Sequence, residues 1–244
     1  MQRPLVRAAV VAATVAALAG TSVPGVARSL RVSSPLGAAA SSRMSSPQAA
    51  ATSSPSAAAR ALLVTRAQLG HGWTVSSPAP RRVPPIACGR LHVRLTGAAT
   101  RPKADATPTF ARGAGGPFFS QAAYLYAAAA PAATAWRAVA RRALMACLAQ
   151  SLARGGGRGV TFRVTRRRFT RPRGLGAAAV LFSLQANASG AGQTDQAFLD
   201  VLLLHRGAGI DELSFTSLLQ ASPRALERRF GRAAARRLAA LPSR

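Results

Sequence analysis

The sequence is short of negative charge. It has 6 acidic residues against 33 basic ones, a formal net charge of +27, and Lys103 is its single lysine. So strong a positive charge favours anionic partners, such as anionic polymers, anionic lipid surfaces or nucleic acid. The alternative is that the arginines, like the abundant Ala, Gly and Pro, reflect the codon bias of a GC-rich genome, because they are spread along the whole chain.

Residues that carry acid–base and metal chemistry are also scarce. The chain has three histidines, His71, His92 and His205, and no serine stands in a Gly-x-Ser-x-Gly motif. Asp211 and Glu212 are neighbours on a predicted strand, so we expect their side chains on opposite faces of a sheet. The sequence therefore predicts a non-catalytic protein without cofactor or metal, in which carboxylates pair with arginines.

Cysteine is limited to Cys88 and Cys147. Two distant cysteines are too few ligands for a metal site. In an oxidising compartment this pair predicts one disulfide. The bridge would close a loop of about 60 residues, which is worth about 4 kcal/mol on the chain-entropy model.

A long hydrophobic run is missing, and the longest apolar stretch lies near the N-terminus. Arg3 and Arg7 precede an uncharged run over residues 8–20, and small residues follow at 25–27. This pattern predicts a signal peptide over residues 1–27 and a secreted or extracytoplasmic protein. Thr21 occupies the position at which a lipoprotein needs cysteine. An uncleaved signal that holds the protein at the membrane, or a start at Met44, remains an alternative.

After the predicted signal, the composition divides the chain into two parts. Residues 28–57 are rich in Ser, Ala and Pro and predict a disordered linker. Residues 58–241 contain enough apolar residues for a single folded domain.

The predicted elements of this domain alternate in a simple order. A helix is predicted over 59–69, a strand over 91–95, a loop over 100–116, a strand over 118–126 and a helix over 131–154. Strands are predicted over 160–165, 177–186, 197–205 and 210–218, with a hairpin connection at 206–209. Ser222 and Pro223 begin a final helix, which carries an apolar stripe formed by Leu226, Phe230, Ala234 and Leu238. The fold class is therefore α+β, an antiparallel sheet packed by helices.

Two sets of side chains are candidates for binding. Aromatic residues suggest an apolar ligand pocket, although core packing is the favoured explanation; these are Trp73, Tyr124, Tyr126 and Trp136. The densest basic cluster suggests a polyanion patch, or an edge strand that its charge protects from pairing with other chains; it contains Arg163, Arg166, Arg167, Arg168, Arg171 and Arg173.

Ordered motifs along the domain resemble a known family. The segment from Leu62-Leu63 to Leu69-Gly70-His71-Gly72-Trp73 is followed by Cys88, by Cys147 in a long helix, and by a late strand that ends at Arg206-Gly207. This order is similar to that of the PknH-like extracellular sensor domains of actinobacteria. The resemblance covers about residues 58–241 and implies an exported antiparallel sheet with helices that binds or senses an envelope ligand.

The sequence thus predicts an exported, non-catalytic ligand-binding or sensor-like domain of the cell envelope. Its partner would be a small or envelope-derived ligand held in a cleft between sheet and helices. The alternative is an arginine-rich binder of anionic polymers or lipid. Nucleic acid is the less expected polyanion, since export directs the protein to the envelope.

Overall fold

The structure, a computed structural model, describes residues 55–81, 83, 102–154 and 159–241. The predicted signal peptide, nearly all of the predicted linker, Cys88 and the predicted strand over 91–95 lie outside these residues. The described part of the chain has α+β architecture with an antiparallel sheet, so the predicted fold class is confirmed.

Helices and strands occur in separate runs along the chain, with helices before, between and after two groups of strands. The helices are α1 (Pro55–Ala61), α2 (Arg66–Leu69), α3 (Ala129–Val139), α4 (Arg142–Arg154) and α5 (Arg224–Ala239). The strands are β1 (Thr74–Ser77), β2 (Lys103–Ala106), β3 (Thr109–Ala111), β4 (Phe118–Leu125), β5 (Thr161–Thr170), β6 (Ala178–Gly190), β7 (Gln193–Arg206) and β8 (Gly209–Leu218).

All the described strands belong to one eight-stranded sheet. Its order is β1-β3-β4-β8-β7-β6-β5, and β2 pairs with β4 beside β3. The long strands β5 to β8 form a meander, which places β8 at the centre and β5 at one edge. Every residue of β8 is buried, as expected of a central strand covered on both faces.

Two tight hairpins set the register of this meander. Ala191 and Gly192 connect β6 to β7 with φ values of 50° and 76°, and Gly207 and Ala208 connect β7 to β8. Positive φ at both residues of the 191–192 loop, and at Gly207 (56°) in the second loop, matches the twist of the paired strands. The predicted hairpin at 206–209 is confirmed, whereas the one at 191–192 was not predicted, because alanine is an uncommon residue there.

The sheet separates two hydrophobic cores. Helices α3 and α4 cover the front face, which carries Phe182, Leu203 and Ile210. Helix α5 and the α1–α2 segment cover the back face, which carries Leu213 and Phe215. Because side chains alternate along a strand, the register assigns each strand residue to one of these two faces.

Aromatic rings build the back core. Phe230 of α5 lies 4.7 Å from the Phe119 ring centroid and stacks on Phe215 at 6.1 Å. Trp73 meets Phe119 edge-on at 6.5 Å. The predicted apolar stripe of the last helix thus packs on the sheet, with Phe230, Ala234 and Leu238 buried. The helix begins one residue later than predicted, with Pro223 rather than Ser222 at the N-cap.

Three predicted elements were wrong in detail. The predicted helix over 59–69 is two helices, since the chain turns after Ala61 and Gln68 Oε1 accepts a hydrogen bond from the Thr65 amide at 3.0 Å. The predicted helix over 131–154 is interrupted between α3 and α4 at residues 140–141. The predicted loop over 100–116 contains β2 and β3, because pairing with β4 outweighs its weak strand propensity.

Helix α4 packs on the sheet through an apolar stripe next to Cys147. Its buried apolar residues include Leu144, Leu148 and Leu152, whereas Ala143 is exposed and Cys147 is half-buried. No free cysteine is found among the described residues. The partner predicted for Cys147 lies outside them, so the disulfide stays a prediction.

Candidate functional site

The chain buries most of its few carboxylates. Asp200, Asp211, Glu212 and Glu227 are 4%, 0%, 8% and 4% exposed, which is four of the six acidic residues. Among the described residues three ion pairs form: Arg60–Asp105, Arg224–Asp200 and Arg224–Glu227. Most of the described surface arginines are therefore without an ion pair to a described carboxylate, so the described surface is strongly positive.

Asp211 lies at the centre of a polar network on the back face. Gln121 Nε2 donates hydrogen bonds to Asp211 Oδ2 at 2.7 Å and Oδ1 at 2.9 Å, and Gln121 Oε1 accepts one from the Val64 amide at 2.7 Å. Burial raises the pKa of Asp211 to about 7, against the lowering effects of the Gln121 amide and the nearby Arg237. This network connects β4, β8 and the end of α1, which is a structural role.

Glu212 occupies the front face, so the prediction that Asp211 and Glu212 point to opposite faces is confirmed. The Tyr124 hydroxyl donates to Glu212 Oε2 at 3.4 Å. Burial raises the pKa of Glu212 to about 7, and burial together with the Glu212 charge raises the pKa of Tyr124 well above its usual value. This buried hydrogen bond joins β4 to β8 within the front core.

A second carboxyl pair lies where α5 begins. Arg224 Nη1 is 2.7 Å from Glu227 Oε2 and 3.8 Å from Asp200 Oδ1. Burial and then the Asp200 charge raise the pKa of Glu227 to about 7. One guanidinium thus serves two carboxyl groups, and the buried Asp200 Oδ1 and Glu227 Oε1 accept no hydrogen bond within the described part of the chain.

The four aromatic residues predicted to line a pocket are divided between the two faces. Tyr124 and Tyr126 are 4% and 8% exposed in the front core, and Trp136 packs against that core. Trp73 is buried in the back core. A pocket lined by the front-face residues therefore excludes Trp73, because the sheet lies between them.

Trp136 makes one further contact on the front face. Its ring stacks on His205 at a centroid distance of 5.5 Å and an interplanar angle of 17°. Burial lowers the pKa of His205, against a raising effect of a hydrogen bond with the Gly207 backbone. The stack of the imidazole on the indole ring holds α3 against β7.

The predicted basic cluster lies on and just after the edge strand β5. All six of its arginines are exposed, and none takes part in an ion pair with a described carboxylate. The guanidinium of Arg171 lies 5.9 Å from the Phe169 ring centroid. The cluster is thus an edge-strand feature, as predicted, but its members do not all face the same way.

A β-bulge divides these arginines between the faces. The β5–β6 register shifts between Val164 and Arg166. Beyond the shift, Arg166 pairs with Gln185 and Arg168 with Ser183, while Arg163 pairs with Asn187 before it. These three arginines therefore share the back face, whereas Arg167, opposite Leu184, lies on the front. We call Arg163, Arg166 and Arg168 the arginine column.

Next to the arginine column, the back face of the sheet is not covered by a helix in the described part of the chain. Helix α5 packs on β7 and β8, and beyond it three back-face residues of β6 are half-buried: Ser183, Gln185 and Asn187. They form a polar column beside the arginines, whereas Leu181 on the same face is buried. Behind them on β7 lie the half-buried Phe198, opposite Gln185, and the exposed Gln196, opposite Asn187. We call the two columns together with Phe198 and Gln196 the open face.

The spacing of the arginine column sets what it can hold. Successive members are separated by two residues of the partner strand, which is about 6.7 Å along the sheet. Each guanidinium offers a fork of N–H donors that matches phosphate, sulfate or carboxylate oxygens. The column is thus a row of positive donors suited to an extended anionic chain.

Sequence reasoning identified the arginines of the open face but missed Gln185, Asn187 and Phe198. The alternation of the predicted strands contained a signal, since Ser183, Gln185 and Asn187 stand at every second position of β6. That alternation does not predict that the polar residues of β6 and the arginines of β5 share one face of the sheet, because this depends on the bulge in β5.

Other site types find no support in the described part of the chain. No group of three or more His, Cys, Asp or Glu side chains there is placed to hold a metal ion, and no helix there is long and apolar enough to cross a membrane. Comparison with known proteins yields no matching family model, curated protein or solved structure.

Proposed function

We propose that this protein is a non-catalytic binder of linear polyanions, which lie along the arginine column of the open face. The observation that carries the proposal is a row of three exposed arginines on an open sheet face, without a described carboxylate to neutralise them. An anionic chain on this face would gain charge-assisted hydrogen bonds without displacing an internal ion pair.

The proposal keeps part of what the family resemblance implies. A PknH-like extracellular sensor domain would bind an envelope ligand, and a polyanion of the envelope is such a ligand. We propose the open face as the ligand-binding site rather than a cleft between sheet and helices, because Tyr124 and Tyr126 are buried in the front core. No catalytic step is assigned.

Salt dependence tests the electrostatic part of this proposal. For three arginine contacts, the affinity of the purified protein for inorganic polyphosphate should fall roughly 20- to 40-fold, or further if other arginines contribute, between about 50 mM and 200 mM salt. Isothermal titration or fluorescence anisotropy measures this change. Absence of polyphosphate binding at the lower salt concentration, or affinity that is unchanged by salt, would contradict the proposal.

We further propose that the protein is exported and that Cys147 pairs with Cys88. Val83, five residues before Cys88, packs against the front core that α4 also covers, and an extended chain of five residues reaches about 17 Å. A chain segment of that length is long enough for Cys88 to reach α4, which supports the proposed pairing.

The disulfide is tested by mass spectrometry of the intact protein under non-reducing conditions. The mass should be lower than that of the reduced chain by the two thiol hydrogens of Cys88 and Cys147, and the N-terminus should follow residue 27. Two alkylatable thiols in protein recovered from outside the cell would refute the pairing, and an intact Met1 would refute cleavage of the signal.

A further inference from the structure

The polar column of the open face has unused hydrogen-bonding capacity. The side chains of Ser183, Gln185 and Asn187 lie on the back face of β6, about 4.8 Å from the arginine column. None of their polar side-chain atoms has a hydrogen-bond partner among the described residues; the contact at Gln185 is its backbone carbonyl, which accepts from Thr165 Oγ1 at 3.2 Å. Two amides and a hydroxyl offer both donors and acceptors to a ligand.

Phe198 adds an apolar surface to this arrangement. It is opposite Gln185 on β7 and is half-buried, so part of its side chain is accessible on the open face. It is the only aromatic side chain among the residues that form the open face. A flat apolar ring bordered by amides suits a ligand with an apolar face and a polar rim.

The arginine column, the polar column and Phe198 together distinguish between classes of polyanion. Inorganic polyphosphate would use the arginine column and leave the polar column and Phe198 without a role. Single-stranded nucleic acid is held on rows of aromatic side chains on which successive bases stack, whereas the open face provides one ring. A chain of sugar rings with anionic substituents uses all three features: its charges meet the arginines, its hydroxyls the amides, and a ring face Phe198.

Resting on the polyanion-binding function proposed above, we infer that the ligand is an anionic glycan whose sugar hydroxyls are bound by the polar column. Asp200 borders this surface beyond Ser183, and its charge is engaged by Arg224 at 3.8 Å. The anionic groups of the glycan therefore lie on the β5 side of the face, away from Asp200.

The test compares two probes on the same variants. Dextran sulfate carries anionic groups on sugar rings, and inorganic polyphosphate carries anionic groups alone. In the double variant Gln185→Ala/Asn187→Ala, the affinity for dextran sulfate should fall about fivefold or more, as expected for two lost hydrogen bonds, while the affinity for polyphosphate should stay within about twofold. The double variant Gln150→Ala/Gln193→Ala, which removes two exposed amides elsewhere, should change neither affinity.

Each outcome bears on one of the two proposals. Equal affinity of the Gln185/Asn187 variant and the wild type for dextran sulfate, or an equal loss for both probes, would overturn the glycan inference and leave polyanion binding intact. Failure of the wild type to bind either probe would instead overturn the proposed function. Circular dichroism of each variant shows whether the sheet is retained, and Phe198→Leu supplies a second variant, which should weaken dextran sulfate binding selectively.

Discussion

The free energy of unfolding of this protein should be highest near pH 4 and should fall as the pH rises toward 7. Most proteins are less stable at pH 4 than at pH 7, because their carboxylates form favourable contacts in the ionised state. Here burial raises the pKa of Asp211, Glu212 and Glu227 to about 7. The sign of the pH dependence is therefore reversed.

The reversal follows from where the protons are bound. In the unfolded chain these carboxyl groups titrate near pH 4, so between about pH 4.5 and pH 7 the unfolded state has released protons that the folded state still holds. Stability then decreases with rising pH until the folded-state pKa is passed. Each fully buried carboxyl contributes on the order of 3 kcal/mol to this decrease. Acidification adds little repulsion, since the chain has 6 acidic residues in all.

Urea denaturation at several pH values between about pH 4 and pH 7.5 measures this dependence. Glu212→Gln should reduce the slope, because an amide of similar shape has no proton to release. Asp105→Asn is the matched control, since Asp105 pairs with the exposed Arg60 at 2.9 Å on the surface, and it should keep the wild-type slope. Stability that rises between pH 4.5 and pH 7 would show that these carboxyl groups are ionised in the folded protein.

Much of the sheet could be predicted from the sequence because alternation and turn residues are local signals. The four long strands β5 to β8 and the hairpin at Gly207 are examples. Strands β2 and β3 could not be predicted, because their residues are typical of a loop and pair only when β4 is beside them. The break between α3 and α4 likewise has no Pro or Gly to mark it.

The candidate site was predictable only in its charge. Six arginines in and after one strand indicate a basic edge, but simple alternation would place Arg163 on the same face as Arg167. The bulge at Thr165 moves Arg166 and Arg168 to the face of Arg163. That register shift depends on pairing with β6, some 20 residues later in the chain. No residue at the bulge has a sequence pattern that would predict it.

The buried carboxylates were also beyond sequence reasoning. With so many arginines in the chain, an ion pair is the expected partner for each acidic residue. Asp211 instead accepts hydrogen bonds from Gln121, 90 residues earlier in the chain, because β4 and β8 are neighbours in the sheet. A contact between strands so distant in sequence leaves no local pattern.

Loss of the arginine column should abolish polyanion binding. Changing Arg163, Arg166 and Arg168 together to glutamine removes the charged donors of the open face while keeping polar side chains of similar length. The affinity for polyphosphate and for dextran sulfate at about 50 mM salt should fall 100-fold or more, since each charge-assisted hydrogen bond is worth about 1.5–3 kcal/mol. These side chains are exposed, so the stability of the fold should change little.

The loss of three positive charges would by itself reduce polyanion binding. The decisive comparison therefore uses a control variant of equal net charge. Changing Arg167, Arg171 and Arg173 to glutamine removes the same number of charges from the same cluster, but Arg167 lies on the front face and the other two follow the strand. We expect this control to bind within about threefold of the wild type, as expected for exposed charges away from the contact. If the arginines serve instead to protect the edge of the sheet, the column variant should aggregate while its monomer binds normally.

The measurement that tests the account most directly is the polyphosphate affinity of these two triple variants, side by side at equal salt. If polyanions bind along the open face, the column variant should lose binding while the control variant retains it. Equal affinities of the two variants would show that the positive charge acts without a site, and would contradict the assignment of function to the open face.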